Sequence, residues 1–290
     1  MVRKKKSVFN IVNTIIMIVM IFVTVYPFVY MISVSLSDKL YVMQDAVTFF
    51  PKGFTLEWYE TVCTDPRIGI GYRNTIFYTV IGTAISLIVT SMGAFALSQP
   101  KMICRRGFGF AIVFTILFSG GMIPSYLTYR EIGITNTIWG YILPGLVSAY
   151  NLLVFRSFLE DLPQELFESG RIDGLNDLGL FFRIAVPLSK AVYAAIGLFV
   201  AVGIWNNYYN ALLYLQDEKL FPLQTVLHDL VIAGALSSEH MAGGTSSSED
   251  TVVLSLKYAT IMVSTIPILC VYPFLQKYFV KGVLLGSVKG

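Results

Sequence analysis

Six stretches of this 290-residue chain contain no Asp, Glu, Lys or Arg: Phe9–Ser37, Asn74–Ser98, Gly107–Tyr129, Ile132–Phe155, Ala191–Gln216 and Tyr258–Gln276. A bilayer core of about 30 Å takes roughly 20 helical residues to cross. Each stretch therefore predicts one spanning helix, and the chain reads as an all-α membrane protein of six transmembrane helices. Burying such runs in a soluble protein would require a shell of amphipathic helices that the chain lacks.

Composition agrees, with 55% apolar and only 13% charged residues, outside the usual globular range. Arg3-Lys4-Lys5-Lys6 before the first run resembles the start of a signal sequence. That run exceeds a signal core of about 7 to 15 residues and ends in Val25-Tyr26-Pro27-Phe28, without small residues for cleavage. It reads as a retained span.

With the N-terminus inside, 14 of the 21 basic residues fall on the cytoplasmic side. Of the remaining 7, 6 lie in two long loops, where charge bias says least, and only Arg130 lies in a short one. Both termini are thus expected in the cytoplasm. The expected layout is a tail over 1–8, a first span over 9–37, an external loop over 38–73, a core over 74–285 and a tail over 286–290. The core includes a cytoplasmic loop at 156–190 and an external loop at 217–257. The net charge of +3 is spread along membrane edges, which suits anionic lipid headgroups and not nucleic acid. Cys63, Cys104 and Cys270 lack metal-type spacing, so neither a disulfide nor a metal site is expected.

The second run carries Gly82, Ser86, Thr90 and Ala94 at every fourth position. Such a face lets another helix approach closely, either within the chain or at a subunit seam. Pro27, Pro124, Pro144, Pro267 and Pro273 each permit a kink.

Nothing in the six runs binds a coupling ion through an ionisable side chain, and His228 and His240 lie in an external loop. Nor is there a Gly-x4-Gly-Lys-Ser/Thr phosphate loop. Energy must come from another polypeptide. The loop from Asp161 to Gly174 offers a grip: Pro163 suits a first helical turn, and Glu165 and Glu168 suit its positive end. Leu162, Leu166 and Phe167 are expected on one face, with Glu165, Glu168 and Arg171 on the other. An exposed apolar face of this kind wants a groove in another protein, while the acidic opposite face argues against a helix lying on anionic lipid.

Glu168-Ser169-Gly170, Gly174 and Ile184-Ala185-Val186-Pro187 resemble the Glu-Ala-Ala, Gly and Ile-x-Leu-Pro signature of ATP-binding-cassette importer permeases, in order and spacing. Ser169, Gly170 and Val186 depart from it, and Gly170 is expected to loosen the helix. Phe118 to Leu127, Ile142-Leu143-Pro144-Gly145 and the ending from Phe279 to Gly290 resemble the maltose-transporter type, in the branch importing complex oligosaccharides. The resemblance spans nearly the whole chain.

It implies a type I importer permease in the bacterial plasma membrane, an expected non-enzyme. Its implied partners are a second related permease in a heterodimer, two ATPase subunits that bind ATP and Mg, and an extracytoplasmic solute-binding protein delivering a carbohydrate. The chain itself would hold no cofactor. On this reading Glu165, Leu166, Phe167, Glu168, Ser169, Gly170, Asp173, Gly174 and Pro187 contribute to ATPase coupling, and Ser287, Lys289 and Gly290 reach the ATPases from the tail. Trp205, Asn206 and Asn207, beside Tyr208 and Tyr209, combine aromatic faces with amides that suit a polyol. An interfacial aromatic belt is the other reading of this segment. With Asn151, the first three are the candidate path residues. The rival classes are an ion-coupled carrier working alone and the same architecture with another neutral solute.

Overall fold

The computed structural model describes residues 8–240, 253–267 and 269–270. Every regular element among them is helical. The described residues divide into two compact units, one from the N-terminal region to Gly69 with those of 227–268, the other centred on Ile70–Val226.

In the first unit, α1 (Val8–Ser35) is continuous through Pro27. Its apolar window buries none of its side chains within the chain, as suits a helix solvated by lipid. Two short helices follow, α2 (Lys39–Met43) and α3 (Glu57–Thr64). Val34, Val42 and Val47 pack with Leu254 and Tyr258, and the Trp58 indole donates to the Ser37 carbonyl at 3.0 Å.

The second long helix, α4 (Pro66–Ser98), begins eight residues before the apolar run it carries. Proline is well placed at a helix start, and Asp65 accepts a hydrogen bond from the Arg67 amide at 2.8 Å. Hydrogen bonds from the Arg67 guanidinium hold the Asp65 carboxyl below the usual carboxylate range. Along α4 the stripe Gly82, Ser86, Thr90 and Ala94 is buried within the chain's own bundle. A Cβ on Gly82 would stand 2.7 Å from Ile204 Cδ1, and Ser86 Oγ donates to the Leu146 carbonyl at 2.6 Å.

The next two apolar runs are not single helices. The first is α5 (Arg105–Leu117) and α6 (Met122–Glu131), bent by 116° across Phe118–Gly121. Gly121 has φ +84°, a left-handed conformation open to glycine that ends regular helix. Pro124 sits harmlessly in the first turn of α6. The second run is α7 (Ile138–Ile142) and α8 (Ala149–Glu160), interrupted at Pro144 and at Gly145, whose φ is +79°. Ser148 caps α8 by accepting from the Asn151 amide.

Then come α9 (Gln164–Ile172), α10 (Asp177–Leu180), a π-helical segment Phe181–Ala185, and α11 (Val186–Leu188). An 83° bend at Ser189 leads into α12 (Lys190–Trp205), followed by α13 (Tyr209–Tyr214) and α14 (Leu223–His240). The last described helix, α15, spans Val253–Pro267.

Among the described residues, two helices are long and apolar enough to cross a membrane, or four if each bent pair is one span. The main core of the second unit joins Ala94, Phe95 and Leu97 of α4 to Phe155 and Leu159 of α8, Phe167 of α9, Leu180, Phe181 and Ala185. At the other end of α4, Asn74 Nδ2 donates to the Lys219 and Phe221 carbonyls and Tyr78 donates to Leu220. That clamp fixes the chain between α13 and α14.

Candidate functional site

The loop resembling the permease signature folds as α9 and the segment after it. Pro163 precedes the first turn, Glu165 lies in it and Arg171 in the last, which complements the helix dipole at both ends. The helix closes with a Schellman motif: the Leu175 amide donates to the Gly170 carbonyl at 2.9 Å and the Gly174 amide to Arg171 at 3.1 Å. Gly174 has φ +82°, the left-handed geometry this motif requires. The signature glycine thus has a backbone reason for its place.

Helical spacing puts Phe167 and Gly170 on one stripe, and both are buried. The Phe167 ring lies 6.0 Å from Phe95, which lies 5.5 Å from Phe181. A Cβ on Gly170 would stand 2.7 Å from Ile184 Cδ1 and 2.8 Å from Leu180 Cδ2. Glycine therefore lets α9 lie directly on the π-helical segment, a packing role that stands beside its expected loosening of the helix.

The expected apolar face is also corrected. Leu162 packs against the core and Phe167 is only 1% exposed, so neither shares an outward face with Leu166. The outward surface is Glu165, Leu166, Glu168, Ser169, Ile172 and Asp173. Ile172, which the sequence reading passed over, is 87% exposed. Its spacing of seven from Glu165, four from Glu168 and three from Ser169 is the signal that places it there. Pro187 is exposed on α11, before the bend. Arg171 Nη2 donates to Gln99 Oε1 at 3.0 Å, tying α9 to the end of α4.

A second feature is a cavity of about 390 Å³ lined from α4, α7, α8, α12, α13 and the breaks between them, with no ionisable Asp, Glu, Lys, Arg or His in its wall. Several of its polar groups are committed. Asn210 Nδ2 donates to the Tyr141 and Pro144 carbonyls, and the Tyr141 hydroxyl lies 2.7 Å from the Ile204 carbonyl and 2.8 Å from that of Asn207. Asn207 Oδ1 accepts from the Asn210 amide at 3.0 Å. Asn207 and Asn151 line the cavity, and neither the Asn207 Nδ2 group nor the Asn151 side-chain amide has a hydrogen-bond partner among the described residues.

The other two candidate path residues lie elsewhere. Asn206 is exposed and donates to the Val202 carbonyl at 2.9 Å. Trp205 is not in the cavity wall, and its buried indole N–H has no partner among the described residues. Ser287, Lys289 and Gly290 fall outside the described residues.

Helix α9 and most of the cavity wall lie in a segment with known counterparts. Residues 107–285 match the family described as binding-protein-dependent transport system inner membrane component. The chain is 42% identical to Protein LplC of Bacillus subtilis over 268 residues, covering 92% of this chain and 90% of that one. It is 41% identical to the polygalacturonan/rhamnogalacturonan transport system permease protein YtcP of the same organism, covering 92% and 93%. Its fold is similar to a chain from the crystal structure of a bacterial ABC transporter involved in the import of the acidic polysaccharide alginate. That likeness has a TM-score of 0.85 and 35% identity, over 96% of this chain and 99% of that one.

The chain belongs to the binding-protein-dependent transport system inner membrane component family. It is a permease subunit with the type I ABC importer fold, a transport protein and not an enzyme.

Proposed function

We propose that this permease forms half of the translocation path of an oligosaccharide importer in the bacterial plasma membrane. It crosses six times with both termini in the cytoplasm, and α9 docks on one of two ATPase subunits that bind ATP and Mg. A second, related permease completes the path, and an extracytoplasmic solute-binding protein delivers the carbohydrate. Relatives named for polygalacturonan/rhamnogalacturonan transport and for alginate import support the cargo class.

The observation that carries this reading is the division of α9: one stripe locked into the core, the other presenting acidic and apolar side chains outward. Reconstitution tests it. Liposomes holding both permeases and the binding protein are expected to accumulate sugar only when the ATPase subunits and ATP are present. Uptake by liposomes holding this chain alone, driven by a solute or ion gradient, would replace the reading with a free-standing carrier.

Asn151 and Asn207 are the residues of this chain proposed to meet the sugar. An amide N–H donates to hydroxyl and carboxylate oxygens alike, so the cavity suits neutral and uronate units. Replacing Asn207 with Leu is expected to lower transport up to roughly tenfold, the equivalent of one hydrogen bond of about 1.4 kcal/mol. ATPase assembly is expected to be unchanged, as read by co-purification alongside uptake.

A further inference from the structure

Glu160 ends α8, three residues before the proline that opens α9. Arg105, the first residue of α5, donates through Nη2 to Glu160 Oε1 and through Nε to the Leu97 carbonyl in the last turn of α4 at 2.8 Å. Arg156 Nε reaches the same carboxylate oxygen at 2.8 Å. One carboxylate thus gathers two guanidiniums, and one of these also takes up a free carbonyl at the end of α4. A Cβ on Gly109 would stand 3.2 Å from Arg156 Nη1, so α5 passes close over the cluster. The ends of α4, α5 and α8 meet here, at the base of the docking helix.

The three side chains are roughly a quarter to a third exposed, and ion pairs so placed add little to stability. Their consequence is geometric. Phe167 ties α9 to Phe95 of α4 from one side, while the Glu160 cluster ties the lead-in of α9 to α4 and α5 from the other. We infer that Glu160, bridged by Arg105 and Arg156, is a positioning residue for energy coupling: it makes the spans follow α9 as one body. A displacement of α9 by the ATPase then moves α4, which lines the solute cavity through Ser86. Without the bridge, α9 moves with less effect on the path. The inference rests on the docking role proposed above.

The test uses the full complex in proteoliposomes, measuring assembly, thermal stability, ATP hydrolysis and sugar transported per ATP. Failure of the wild-type chain to assemble with an ATPase would overturn the docking reading and this inference with it. Given assembly, Glu160→Gln is expected to leave complex yield and melting temperature near wild type while transport per ATP falls at least fivefold. Arg105→Lys keeps the charge but not the fork that reaches Leu97 and Glu160 together, and the same loss is expected. Wild-type transport per ATP in either variant would overturn the inference. So would a loss that merely follows falling complex yield or melting temperature, since that marks a structural role.

Discussion

A chain carrying Glu168→Ala and Gly174→Val is expected to lose sugar uptake to background in proteoliposomes holding the complete importer. Glu168 stands on the outward face of α9, so its loss removes a charge from the proposed docking surface and nothing from the core. Gly174 acts through the backbone. Its φ of +82° is a conformation that a β-branched residue adopts only at a cost of about 1–3 kcal/mol. Relieving that strain undoes the Schellman bonds to Gly170 and Arg171 and redirects Ile172 and Asp173. Co-purification is expected to show weakened or absent ATPase, while membrane insertion persists because the spans are untouched. Wild-type uptake by this variant would remove α9 as the coupling element.

Gly170→Leu is expected to have a comparable effect from the opposite side of the helix. The site is closed by Ile184 Cδ1 and Leu180 Cδ2, both within 3.0 Å of where a Cβ would stand. Overpacking typically costs about 1–3 kcal/mol, and here it levers α9 away from the π-helical segment. The expected result is a lowered melting temperature together with loss of the ATP hydrolysis that the loaded binding protein stimulates. Gly170→Ala is expected to be mild. Its Cβ meets the ends of flexible side chains, and the gain in helix propensity, about 1 kcal/mol, offsets the adjustment. Equal behaviour of the Leu and Ala variants would show that the contact with α10 and the π-helical segment carries no force.

The apolar runs made the membrane class legible, because hydropathy integrates over many residues and needs no tertiary detail. The breaks inside those runs were harder to see. Ser119-Gly120-Gly121 is uncharged and passes for helix interior and Pro144 reads as a kink, yet positive φ at Gly121 and Gly145 ends the regular structure. Asp65-Pro66 reads as a turn when it is also a helix start, which is why α4 reaches eight residues further than its apolar run. The small-residue stripe of α4 was visible by spacing alone. Its partner was not, since Ile204 and Leu146 are distant in sequence.

Helix α9 shows the same division. Capping, charge and glycine placement located α9 because those effects are local. Which stripe turned inward depended on Phe95 and Phe181, brought there by tertiary packing, so Phe167 was misplaced and Ile172 passed over. In the cavity, a cluster of amides after Trp205 was visible as candidate chemistry. Its division between Asn210, spent on the Tyr141 and Pro144 carbonyls, and Asn207, whose Nδ2 is left without a partner among the described residues at the cavity wall, required the break between α12 and α13.

The docking of α9 on a separate ATPase is tested most directly by cross-linking. Cys63, Cys104 and Cys270 are replaced by Ser, and a single cysteine is introduced at Ser169, on the outward face, or at Phe167, on the buried one. In the assembled importer, Ser169→Cys is expected to form a covalent product with the ATPase subunit under short bifunctional maleimides, whereas Phe167→Cys forms none. Active transport with no ATPase product from Ser169→Cys, or an ATPase product from a cysteine at Tyr209 on α13 instead, would contradict the account.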